Sequence, residues 1–123
     1  MKPNRKLLLI AALTALISTP LHADLEAGLA AYDRGDHKEA FNQFKQAAEA
    51  GDADAYGKLA GLYLYGRGTE KDYSKAYIWF GMAEHSGDKY AEKFKMAAAS
   101  SMTLEQVKHA EEIMADYIRR VEE

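Results

Sequence analysis

Cysteine is absent from the 123 residues, and the two prolines, Pro3 and Pro20, both lie within the first 20 positions. Without cysteine there is no disulfide, no thiol nucleophile and no cysteine-bound lipid anchor, so stability rests on packing alone. Without proline beyond Pro20, nothing in the sequence forbids long helices over the rest of the chain. Alanine-rich runs there favour an all-helical fold. Basic charge is not in excess: 16 Lys and Arg stand against 19 Asp and Glu. No strand-forming alternation precedes a glycine-rich phosphate loop, and no G-x-S-x-G is present.

The first 23 residues differ in kind from the rest. Lys2, Arg5 and Lys6 make a positive start, and Leu7 to Ile17 is an 11-residue apolar run containing only Thr14 as a polar residue. Ser18-Thr19-Pro20 breaks the run, and Leu21-His22-Ala23 ends on a small residue. This is the layout of a cleavable signal peptide, with cleavage expected after Ala23 and a periplasmic or secreted destination. The run is too short to cross a bilayer, which needs about 20 residues. No stable membrane anchor is therefore expected after cleavage. The remaining 100 residues carry 13 Lys and Arg against 19 Asp and Glu, a balance of −6. That balance argues against nucleic acid or an anionic membrane as partner.

An internal repeat organises the rest. At an offset of 36, Asp36 matches Asp72, Ala40 matches Ala76, Phe44 matches Phe80 and Ala47 matches Ala83. Gly51-Asp52 likewise matches Gly87-Asp88, and Ala55 matches Ala91. A period in the mid-thirties suits a helix–turn–helix unit. Ala40, Phe44 and Ala47 share one helical face, small–large–small, which lets a neighbouring helix approach closely. Gly51 and Gly87 stand where helices end, and Asp52 and Asp88 where an N-cap would start the next one. The helices preceding these, Gly28 and Ala31 against Ala60 and Tyr63, compare at an offset of only 32. The four-residue difference falls in the turn, tight over Asp33 to Asp36 and longer over Gly66 to Asp72.

The stretch from Leu59 to Gly87, L-A-x-x-Y-x-x-G-x-G-T-x-K-D-Y-S-K-A-x-x-W-F-x-x-A-x-x-x-G, resembles a Sel1-like repeat. The paired glycines, D-x-x-K-A and the following tryptophan carry the resemblance. Ala60 replaces that family's usual glycine and Glu84 its usual second alanine. The first unit, with its tight turn, resembles a tetratricopeptide hairpin. The resemblance spans about residues 24–121 and implies a short right-handed α-α hairpin solenoid. Its units would cover about 24–51, 52–87 and 88–121. In the last, Tyr90 to Ala99 reads as a helix, and Thr103 with Gln106 forms a capping box. A capping helix follows, with Val107, Ala110, Met114, Tyr117, Ile118 and Val121 on its apolar side. The family implies a non-enzymatic binding scaffold in bacterial envelope or secretory pathways, with no catalytic residues.

Candidate chemistry is sparse. His37 and His85 fall near turns, and Glu105 with His109, four apart, is too thin a pair to make a metal site. Glu111-Glu112 lies on the charged side of the last helix, and Asp52 with Asp54 at a helix start. No catalytic, cofactor-binding or metal-ligating residue is expected. The tyrosine surplus is more telling: eight Tyr against four Phe and one Trp. Tyr77 and Trp79, two apart on one helix, point to different sides, so the aromatics should not all face inward. In helical-hairpin stacks the first helix of each unit lines the concave side. That places Tyr56, Lys58, Leu62 and Tyr65, with Tyr32, Asp24 and the loop residue Arg67, on a surface for a protein or peptide partner. Two other classes are an exported hydrolase, as some cysteine-rich Sel1-like proteins are associated with β-lactams, and a self-associating structural protein, a homo-oligomer.

Overall fold

The computed structural model describes residues 22–123. The apolar run and basic start of the expected signal peptide lie outside the described residues. Six helices follow one another: α1 (Ala23–Asp33), α2 (His37–Glu49), α3 (Ala53–Tyr65), α4 (Tyr73–His85), α5 (Ala91–Ala99) and α6 (Leu104–Glu122). Among the described residues there is no strand. The fold is all-α, with successive helices packed as neighbours in a helical repeat.

Local chemistry sets the helix starts. The Asp36 carboxylate accepts from Glu39 N at 3.2 Å, Asp52 from Asp54 N at 3.2 Å and Asp72 from Lys75 N at 2.9 Å. Thr103 and Gln106 form the reciprocal capping box at 2.9 and 3.1 Å. Each bond satisfies a backbone N–H that the first helical turn leaves without an intrahelical partner. Asp88 differs from the expected N-cap. Its carboxylate accepts from Tyr90 N at 2.9 Å, and α5 begins only at Ala91. The aspartate closes a two-residue turn over Lys89 and Tyr90, and that turn precedes the helix.

The repeat positions form the core. Ala40, Phe44 and Ala47 are buried, as are Ala76, Phe80 and Ala83. Helix α4 sits at the centre, packed on α3, α5 and α6. Both α5 and α6 use α4 as their main neighbour, with little packing on each other. All eight residues from Ala76 to Ala83 are consequently buried. Tyr77 and Trp79 do point to different sides, yet both face protein. The Tyr77 hydroxyl donates to Glu111 of α6 at 2.6 Å, and Trp79 lies between Tyr56 of α3 and Tyr117 of α6. Three of the tyrosine-region aromatics expected to include outward-facing members, Tyr56, Tyr77 and Trp79, are therefore all core. A one-sided amphipathic pattern does not apply to a helix covered on several sides.

The long turn after α3 does more than reverse the chain. Gly66 ends α3 in the left-handed region at φ 65°, and Gly68 follows at φ 72°. A Cβ on Gly68 would lie 2.0 Å from the carbonyl oxygen of His37. The loop thus rests backbone to backbone on the first turn of α2, a close approach open only to glycine.

Candidate functional site

One cavity is built where α1, α2, α3 and this loop meet. Its volume is about 250 Å³. On α3 it is lined by Gly57, Lys58, Gly61, Leu62 and Tyr65, a single helical face. Leu29 and Tyr32 of α1, Phe44 of α2 and Arg67 of the loop complete it. Phe44 is seated deeply because Gly28 offers no side chain: a Cβ there would lie 2.5 Å from the Phe44 ring. Gly57 and Gly61, four apart, leave the α3 face hollow. A Cβ on Gly61 would meet nothing within 4 Å.

Arg67 is held in place across the mouth. Its Nη1 donates to the Tyr32 hydroxyl at 2.6 Å, and its guanidinium lies 5.5 Å from the centre of the Tyr65 ring. A neutral hydroxyl and a π face orient the group without neutralising it. Neither Arg67 nor Lys58 has a carboxylate oxygen within 4.0 Å among the described residues. The cavity is thus an apolar hollow with two uncompensated cations, in a chain whose residues after position 23 sum to −6.

Five of the expected partner-binding residues, Tyr32, Lys58, Leu62, Tyr65 and Arg67, line this one cavity. Tyr56 does not. It is 2 % exposed, with its ring 5.6 Å from that of Trp79, because it falls on the side of α3 that faces α4. Burial raises the pKa of its hydroxyl, with a further push from Asp52. Asp24 is not among the lining residues. Leu29, Gly57 and Gly61 escaped the sequence reading, and Phe44 was read only as core. The signal for the glycines was present, as a G-x-x-x-G in an otherwise alanine- and leucine-rich helix.

A second, more open hollow of about 540 Å³ adjoins the first and shares Gly57 and Lys58 with it. Asp54, Asp88, Tyr90 and Phe94 line its far part, so charge changes sign along the joined trough. Elsewhere, one ligand atom each from His22, Asp52 and Asp54 fall within 4.8 Å of one another. Asp52 is already occupied as the α3 cap and by His22 Nδ1 at 2.7 Å, and His22 and Asp54 are exposed. That contact to Asp52 raises the pKa of His22. Expected signal cleavage after Ala23 would remove His22 from the group. His109 Nδ1 lies 3.9 Å from a Glu112 carboxylate oxygen, with both side chains largely exposed.

Comparison with known proteins gives a limited relationship. No family model matches the chain, and no solved structure matches it. Over 46 residues, 37% of the chain, it is 50% identical to an uncharacterized Sel1-like repeat-containing protein of Schizosaccharomyces pombe. The chain spans about 7% of that relative's length. The likeness and the all-helical packing agree with a Sel1-like repeat in this part of the chain.

Proposed function

We propose that the protein is a non-enzymatic interaction module that binds a peptide or protein segment in the trough along α3, the concave face of the helical stack. The observation that carries this reading is the convergence of Tyr32, Lys58, Leu62, Tyr65 and Arg67, from two helices and a loop, on one solvent-open apolar cavity. The arrangement provides anchors of the type that dominate interfaces: aromatic rings, an oriented arginine and an adjacent hollow. The hollow, about 250 Å³, is smaller than the roughly 300–1,000 Å³ of small-molecule sites, so it fits one large side chain better than a metabolite. The Sel1-like relationship supports the same class of role. The signal-like start supports export, with action in the periplasm or outside the cell.

The test is affinity capture from the envelope fraction, with Gly61→Leu as control. The substitution fills the hollow from a helical position whose Cβ direction is open. A partner held by the natural chain and lost with Gly61→Leu is expected. Identical proteins held by both would place the binding surface elsewhere.

A further inference from the structure

We infer that the α1–α3 cavity recognises an extended peptide in which a large apolar residue lies midway between two carboxylates four residues apart. This rests on the trough being a binding site and adds the chemistry of its ligand. Lys58 and Tyr65 are seven residues apart on α3, which is about 10 Å along the helix axis. Arg67 lies over Tyr65. The two cations therefore stand at opposite ends of the apolar hollow. In an extended peptide side chains alternate faces and advance about 3.3 Å per residue. Carboxylates four residues apart therefore lie on one face with the residue midway between them, about 13 Å apart and within reach of the long Lys58 and Arg67 side chains. The side chain between them meets Leu29, Phe44 and Leu62 and the bare backbone at Gly61.

Charge complementarity selects this ligand over a neutral apolar one. Neither cation has an acidic partner among the described residues, and Arg67 is already oriented by Tyr32 and Tyr65, so little side-chain freedom is lost on binding. Beyond Lys58 the trough turns acidic at Asp54 and Asp88, which repels a longer acidic run and restricts the match to two carboxylates.

The experiment is fluorescence anisotropy on the full chain with a labelled heptapeptide, Gly-Glu-Ala-Leu-Ala-Glu-Gly. Parallel probes replace both glutamates with glutamine, or the leucine with serine. The glutamate peptide is expected to bind about tenfold or more tightly than the glutamine peptide, with the difference shrinking in high salt. The serine peptide is expected to lose binding. Lys58→Gln alone, at an exposed position without an ion pair among the described residues, is expected to weaken the glutamate peptide more than the glutamine peptide and so shrink the difference between them. Arg67→Gln adds to that effect, and Tyr32→Phe separates loss of the charge from loss of the hydroxyl tether. Equal binding of the glutamate and glutamine peptides, abolished by Gly61→Leu, would overturn carboxylate recognition and leave the trough as the site. If none of the three peptides binds, the inference is overturned. A random heptapeptide library then decides for the trough: enrichment lost with Gly61→Leu upholds it, and no enrichment overturns it too.

Discussion

Two glycines illustrate how identical residues carry opposite demands. Gly68 has φ 72°, and a side chain there would meet the His37 carbonyl oxygen at 2.0 Å. Because the obstacle is backbone, it cannot swing aside. Gly61 is helical, and its Cβ direction is open. We expect Gly68→Ala to lower stability by about 1–3 kcal/mol. We expect Gly61→Ala to raise it by about 0.5–1 kcal/mol while narrowing the cavity. Urea midpoints of the two variants check this, and shifts of the same sign would contradict it. The glycine pair at 66 and 68 was legible as a turn, because helix-forming residues flank it on both sides. That Gly68 touches α2, and that a side chain at Gly61 would start into open space, depends on what lies across from each.

At the scale of the element, α4 is distinctive because protein covers it on several sides. Tyr77 shows the consequence. Its hydroxyl is pushed up to about 12, first by burial and then by the hydrogen bond to Glu111. In the unfolded chain the same group loses its proton near 10.0. Above that value the unfolded form sheds a proton that the folded form keeps, so rising pH favours unfolding. The stabilisation is fully present below about pH 10 and is lost as pH rises towards 12. Tyr56 and Tyr63 are shifted in the same direction, chiefly by burial. The Tyr77→Phe variant should therefore lose less stability between pH 10 and 12 than the natural chain, but still lose some. Thermal melts across that range give the comparison, and parallel curves would show that Tyr77 is not the titrating group. The spacing of Ala76, Phe80 and Ala83 announced one buried face of α4. The burial of Tyr77, Ile78 and Met82 on other faces had no counterpart in that pattern.

For the whole molecule, α6 closes the stack by covering α4. Its removal would uncover the helix it packs on. The structure shows that the surface laid bare belongs chiefly to α4. Trp79, the single tryptophan, rests against Tyr117 with ring centres 5.3 Å apart, and Met114 sits where a Gly81 side chain would otherwise be. Deleting residues 103–123 should therefore shift Trp79 emission to the red and cause aggregation, since a repeat stack without its cap exposes core. A monomeric truncation that melts cooperatively with unshifted emission would show that α6 is dispensable.

The sequence by itself determined the helices and their ends. Periodicity, capping residues and glycines act within a turn or two, and those forces are written in adjacent positions. It also placed Tyr32, Lys58, Leu62, Tyr65 and Arg67 near one another, because a repeat fixes which helices are neighbours. The tertiary structure decided which side of α3 is hollow and which is sealed. Tyr56 and Leu62 looked alike as exposed candidates, yet both are buried, Tyr56 against Trp79 and Leu62 at the floor of the trough. The difference comes from contacts with α4 and with the loop resting on α2. These join residues far apart in the chain, where local pattern carries no information about facing surfaces.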